Sequence, residues 1–296
     1  MLATRLTALC EKQYKKRGAA APARAPEISG FHLWMSGLWR RFYSPRLKLG
    51  KTMFSSGPCA CMTILASRSS IPMDVIILAG GRGTRLPISA HDIPKPLVEV
   101  HGKPMLEHQL ERLSAHGFSK IRLALGYRAD QVIAFLRERG YPHEYAVEPD
   151  VLGTGGAVRF AMGRDPGPFM VLNGDTLGDV DYAAVARSYR PGHSVLTAYW
   201  KDDARDFGLL HVQGGRIREF LEKPTEPHAG YVNAGCYVLE SEHFKDAPSG
   251  AFMLEQALFP RLASDGRLLA YFHRGFFEDL GTEERLAAVR RGPKLW

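Results

Sequence analysis

From residue 74 onward the apolar positions follow two alternating spacings. Val75 to Ala79 is an unbroken apolar run, as expected of a parallel strand covered on both faces. In residues 103–117, Leu106, Leu110 and Leu113 share one face of a predicted helix, with Pro104 at its first position and Gly117 ending it. A strand over 120–127, a helix over 129–140 and an extended segment over 143–149 come next. The order is βαβαβ, the beginning of a doubly wound sheet.

The apolar run Phe169 to Leu172 ends in Asn173-Gly174-Asp175. That order puts Asp175 at a strand's carboxyl end, where open α/β sheets bind their ligands; read alone, Asn-Gly-Asp is simply a turn. After residue 192 the spacing is strand-like over 193–200, 207–224 and 230–240, with Gly214-Gly215 as a hairpin turn. A helix over 252–263, a strand over 267–275 and a terminal helix from about Thr282 complete the chain. The expected architecture is α/β, a mixed and mainly parallel central sheet flanked by helices and extended by antiparallel strands. No internal repeat announces a solenoid or β-helix.

Length and composition are those of a globular protein: 296 residues, 45% of them hydrophobic. Charge divides the chain in two. Residues 1–72 hold 12 of the 39 basic and 2 of the 31 acidic residues, so the net charge of +8 is an arm at +10 on a body near −2. The body therefore has no electrostatic footprint for nucleic acid. The arm, rich in Ser, Pro, Ala and Arg and without sustained periodicity, is expected not to fold. Its composition overlaps with that of organelle transit peptides, but Met35, Met53, Met62 and Met73 favour a start assigned too far upstream. One domain is expected over 73–296. No apolar run is long enough for a membrane span. Cys10, Cys59 and Cys61 lie in the arm without the second pair a zinc site needs, and Cys236 lies in an apolar strand. This usage points to a reducing cytoplasm and no structural metal.

The candidate chemistry begins after the first strand, in "LAGGRGTRLPISAHDIPKPL". A Walker A loop needs Gly-Lys-Ser/Thr entering a helix, and a dinucleotide fingerprint needs a third small residue where Leu86 stands. Neither fits. A long glycine-rich loop remains, whose N–H groups can approach phosphates while Arg82, Arg85 and Lys95 neutralise charge. Three cations beside one backbone cradle suit a triphosphate.

The segments "LAGGRGTRL", seven residues, "PKPL", then "LGTGGA", "NGD", "EKP", "NAG" and "EDLGT" in that order resemble the sugar-1-phosphate nucleotidyltransferases. The resemblance runs from Met73 to about residue 290. "LGTGGA" and "NGDTLGDVD" are most similar to the D-glycero-α-D-manno-heptose 1-phosphate and mannose-1-phosphate guanylyltransferases. The resemblance implies a Rossmann-like, GT-A-like nucleotide-diphospho-sugar transferase fold and a reaction of NTP with sugar 1-phosphate to give NDP-sugar and pyrophosphate. A phosphomonoester, with a second pKa of about 6, is already largely dianionic near neutrality, so no general base is needed. The barrier left is electrostatic.

By that resemblance, Arg85 and Lys95 stabilise the triphosphate and leaving group, over a nucleotide cradle of Leu78, Ala79, Gly80, Gly81, Gly83 and Thr84. Lys95 is restrained by a proline on either side. Gly153 and Thr154 meet the nucleobase in the "LGTGGA" turn. Asp175 and Asp279 hold Mg2+, with Glu278 a rival ligand and a helix cap the alternative use of Asp279. Lys223 binds the sugar phosphate, Glu222 and Asn233 bind sugar hydroxyls, and Gly208 lets the sugar approach the main chain. Pro87 stands where the family often has Arg, and Arg82 receives no firm role. The eleven histidines form no metal-ligating pair. Competing readings are a glucose-1-phosphate uridylyl- or thymidylyltransferase, a non-catalytic nucleotide-sugar-binding subunit, and a dinucleotide oxidoreductase. The second is expected to have lost some of Arg85, Lys95, Asp175, Lys223 and Asp279, and the third lacks its glycine fingerprint. Oligomeric state is left open.

Overall fold

A strand that is apolar at every position must lie between two layers, and β1 (Asp74–Leu78) does. Val75 and Ile77 point into one apolar core, and Ile76 points into another on the opposite face. The computed structural model describes residues 71–81, 93–164, 167–226 and 228–294, all within the unit Ala66–Trp296. The basic arm with Cys10, Cys59 and Cys61, and the loop segment 82–92 with Arg82, Gly83, Thr84, Arg85 and Pro87, lie outside the described residues.

After β1 come a 3-10 turn (Lys95–Leu97), β2 (Glu99–Val100), β3 (Lys103–Pro104), α1 (Met105–Ala115), β4 (Ile121–Leu125), α2 (Ala129–Glu138) and β5 (Glu144–Val147). Next are α3 (Gly153–Met162), β6 (Pro168–Asn173), β7 (Thr176–Gly178), α4 (Tyr182–Ser188), β8 (Ser194–Lys201), β9 (Gly208–Gln213), β10 (Arg216–Glu222) and β11 (Gly230–Glu240). A π turn (Leu254–Leu258), α5 (Phe259–Ser264), β12 (Leu268–His273), β13 (Phe277–Asp279) and α6 (Glu283–Arg291) complete the order.

One nine-stranded sheet has the order β5-β4-β1-β6-β11-β8-β12-β10-β9. Strands β5, β4, β1 and β6 are parallel neighbours, as are β8 and β12, while β11 and β10 run against theirs. Helices α1, α2 and α4 cover one face, and α3 and α5 the other. Leu106, Leu110 and Leu113 of α1 are all buried, as their spacing predicts. Gly214 and Gly215, with φ of 59° and 76°, form the expected turn between β9 and β10. Among the described residues no helix is long and apolar enough to cross a membrane. Cys236 is a free, buried thiol whose pKa burial pushes up to about 12, so it stays protonated and inert.

Three local expectations are corrected. Pro104 is the residue before α1, not its first residue, because β3 pairs it with Glu99. "LGTGGA" is no turn: Gly153 opens α3, and Phe252 dictates its glycines. A Cβ on Gly155 would lie 2.1 Å from the Phe252 ring, and the N–H groups of Gly155 and Gly156 bond the Phe252 carbonyl at 2.9 and 3.2 Å. Tertiary packing here overrides the poor helix propensity of glycine. The helix expected over 252–263 starts as a π turn, with Phe259 N–H bonded to the Leu254 carbonyl, and Pro260 follows at the start of α5. The wider turn leads into a residue that has no N–H to contribute to a ladder.

The loop after β6 is sewn to the end of β1. Gly174 N–H bonds the Leu78 carbonyl at 2.9 Å, and a Cβ on Gly174 would lie 2.3 Å from that same oxygen. Backbone cannot swing aside as a side chain can. Gly174→Ala is therefore expected to cost about 1–3 kcal/mol in urea unfolding. Gly81→Ala, where a Cβ meets nothing within 4 Å, is expected to stay within about 0.5 kcal/mol of the parent.

Candidate active site

A cavity of about 650 Å³ opens over the carboxyl ends of β1, β4 and β6. Leu78, Ala79, Gly80 and Gly81 line one wall, and Gly153 and Thr154, at the start of α3, line another. Lys95 and Asp175 are in the same lining, so these eight sequence-predicted residues share one space. Gly80 is needed where it stands, since a Cβ there would be 3.0 Å from both a Glu148 carboxylate oxygen and the Gly126 nitrogen.

The two candidate metal acids meet through backbone. β7 and β13 form a short antiparallel ladder with Thr176 opposite Asp279, and Leu280 N–H bonds the Asp175 carbonyl at 2.9 Å. Lys95 sits on the Asp175 carboxylate, its side chain only 10% exposed. Its short 3-10 turn is closed by Leu97 N–H on the Pro94 carbonyl at 2.8 Å. Burial and, next, the Asp175 charge push the Asp279 pKa up, with Lys95 and the Gly281 N–H at 2.5 Å working the other way.

Glu278 and the cap of α6 each have partners of their own in that stretch. Glu278, one residue away on the opposite side of its strand, is paired with Lys201 at 2.8 Å and with Arg285 at 3.7 Å. The cap of α6 is Thr282, whose Oγ accepts from Arg285 N–H at 3.4 Å, and not Asp279. Asp175, paired with Lys95, and Asp279, with Arg285 at 4.0 Å, offer adjacent hard oxygens, a set that fits a divalent cation completed by non-protein oxygens. Among the described residues no group of three His, Cys, Asp or Glu gathers at metal-binding range.

The sugar candidates lie at the end of the β9–β10 hairpin. Gly208 is opposite Glu222 in register. A Cβ on Gly208 would be 2.4 Å from the Phe220 ring, so packing alone accounts for its missing side chain. Lys223 takes a left-handed φ of 48°, donates its N–H to the Phe207 carbonyl at 3.1 Å, and holds its ammonium 3.6 Å from Glu222. Asn233 is tied at both ends: Oδ1 accepts from Gly235 N–H at 2.9 Å, and Nδ2 donates to the Tyr237 hydroxyl at 3.0 Å. Tyr237 in turn donates to Asn173 at 3.3 Å, which connects Asn233 to the Asp175 loop. The Thr154 hydroxyl is likewise committed, accepting from Leu254 N–H at 2.9 Å and donating to Glu255 at 2.6 Å.

Three residues with a place here belong to none of the sequence motifs. Gln109, on the apolar face of α1, donates to the carbonyls of Asn173 and Thr176 at 2.8 and 2.9 Å and so clamps both ends of the Asp175 loop. Its one signal is a polar residue beside Leu106, Leu110 and Leu113. Glu148 lines the cavity and accepts from Leu152 N–H at 3.1 Å; burial pushes its pKa up. Glu255 is described further below.

The profile of the nucleotidyl transferase family matches residues 74–292. Mannose-1-phosphate guanyltransferase of Aspergillus fumigatus is 36% identical over 223 residues, covering 71% of this chain and 61% of that protein. Mannose-1-phosphate guanylyltransferase of Mycobacterium tuberculosis is 32% identical over 222 residues, covering 72% and 62%. The chain thus spans about three fifths of the length of these relatives. HddC from Yersinia pseudotuberculosis, in complex with GMP-PN, has a TM-score of 0.63 at 31% identity, covering 74% of this chain and 98% of that one. The shared architecture is the Rossmann-like nucleotide-diphospho-sugar transferase fold.

An acid whose folded-state pKa is raised costs stability once ionised. The cost is absent below its ordinary pKa and complete above the raised one. Asp279→Asn in EDTA-treated protein is therefore expected to raise the urea midpoint at pH 7. The gain should fade as pH falls through the raised pKa of Asp279 and be gone below about 4, the ordinary range of an Asp; a midpoint lowered at pH 7 would contradict this.

Proposed function

The chain belongs to the nucleotidyl transferase family, and on that premise we propose that it joins a nucleotidyl group from GTP to mannose or heptose 1-phosphate, releasing pyrophosphate. The observation that carries this reading is the meeting of Asp175 and Asp279 beside Lys95, at the mouth of the glycine-lined cavity. Residues 73–296 form the domain concerned, and the reaction belongs to a reducing cytoplasm.

A phosphate oxygen of the sugar 1-phosphate attacks the α-phosphorus of the nucleotide, and the bond to the oxygen bridging the α- and β-phosphorus breaks. The electron pair leaves on pyrophosphate, so no proton has to move at the attacking atom. Asp175 and Asp279 would hold Mg2+, which supplies charge neutralisation at the phosphates. Lys95 exchanges its Asp175 partner for triphosphate oxygens, a short transfer for a side chain already desolvated. Gly80 and Gly81 present backbone to the nucleotide; Gly83, Thr84 and Arg85, outside the described residues, are assigned to the same task by the family resemblance alone. Lys223 meets the sugar phosphate from its exposed turn, and Glu222 accepts from sugar hydroxyls. Asn233, already bonded at both ends, acts by holding Tyr237 and the Asp175 loop as well as by contact.

The choice of guanine follows from Glu148. A carboxylate only accepts hydrogen bonds, and guanine presents two adjacent donors, N1–H and the 2-amino group. Uracil and thymine present one donor between two carbonyl oxygens, which a carboxylate repels. Adenine and cytosine present a ring acceptor. The curated relatives named guanyltransferases and the GMP-PN complex of HddC support the same base.

Pyrophosphate release with four NTPs against a panel of sugar 1-phosphates tests the reading; strict use of dTTP or UTP would overturn the choice of guanine. Asp175→Asn is expected to keep its circular dichroism and lose about 100- to 1,000-fold in kcat. Near-normal turnover in that variant would remove Asp175 from the chemistry. Glu148→Gln, which can also donate, is expected to lower the preference for GTP over UTP about tenfold or more.

A further inference from the structure

Glu255 is the second residue of the π turn, and packing alone does not call for a carboxyl there. Phe252, Leu254 and Leu258 around it are buried apolar side chains. One carboxylate oxygen accepts from the Thr154 hydroxyl at 2.6 Å. Among the described residues no cation is paired with it. Its own surface is partly open while protein encloses it on most sides, and its partner Thr154 lines the cavity. Three groups feel its charge or impose theirs on it: Glu222, Asp175 and the Tyr237 hydroxyl. Glu255 thus lies next to Thr154 and within electrostatic range of the residues read above as sugar, metal and relay groups.

A buried carboxylate without a cation is costly unless hydrogen-bond donors complete it. Thr154 supplies one. The other acids nearby supply none, while a sugar ring carries several hydroxyl donors.

We propose that Glu255 is a specificity residue for the acceptor sugar, its second carboxylate oxygen accepting a hydrogen bond from one ring hydroxyl of the sugar 1-phosphate. This rests on the nucleotidyltransferase reading given above. The ligand class is a polyhydroxylated pyranose 1-phosphate, and the contact is separate from those of Glu222 and Lys223.

The test compares wild type with Glu255→Gln on the best sugar 1-phosphate of the panel and on its singly deoxygenated analogues. Gln keeps an acceptor for Thr154. With the parent sugar, Glu255→Gln is expected to lower kcat/KM about 10- to 100-fold, leaving KM for GTP within about twofold. For one deoxy analogue, wild type should already show that loss, and the variant should add little to it. An equal loss across all analogues would make Glu255 a structural anchor, and a rise confined to KM for GTP would place it on the ribose; either result overturns the inference. Should Glu255→Gln fail to fold, Glu255→Asp, which withdraws the charge by one methylene, serves the same comparison. No turnover by wild type on any substrate pair would instead sink the nucleotidyltransferase reading itself.

Discussion

Two carboxylates repel, and the fold holds them together with backbone. The three-residue ladder between β7 and β13 sets Asp279 beside Thr176 and its predecessor Asp175, although 104 positions separate the acids in the chain. Everything else near the cavity supports that arrangement. Gln109 fixes the Asp175 loop from one side, Tyr237 and Asn233 fix Asn173 from another, and Gly174 lets β1 approach from below. Among the described residues, Lys95 supplies the counter-charge paired with Asp175. The raised pKa of Asp279 is what the fold gives up in stability to keep negative charge concentrated at one point.

Several glycines in and around the motifs have packing duties. Gly155 gives way to Phe252, Gly208 to Phe220, and Gly174 to a main-chain oxygen. Gly174 also lines the cavity, so its packing duty and a place beside a ligand are compatible. Gly81 differs: among the described residues nothing lies within 4 Å of a Cβ placed there.

Long, strongly periodic segments were legible before any coordinates. β1, α1, α2 and the β9–β10 hairpin each carry enough repeats of one spacing, or a clear enough turn, to be recognised. β7 and β13 could not be, since three residues contain no period, yet their pairing is what joins the two acids. α3 was hidden by its own glycines, whose low helix propensity is overruled by a phenylalanine nearly a hundred positions away. Among the site residues, the ordered motifs marked Lys95, Asp175 and Asp279 for attention. Glu148, Gln109 and Glu255 are single polar residues whose surroundings exist only once the chain has folded.

The π turn ahead of Pro260 has an evolutionary side. A helix carrying one surplus residue is displaced by about 100° from the face it would otherwise present, so the side chains before and after the surplus answer to different neighbours. Gain or loss of a single codon between 254 and 258 would therefore rotate Glu255 out of register while leaving α5 seated in the core. Descendants of such a gene could change which groups border the cleft without altering any residue that builds the sheet.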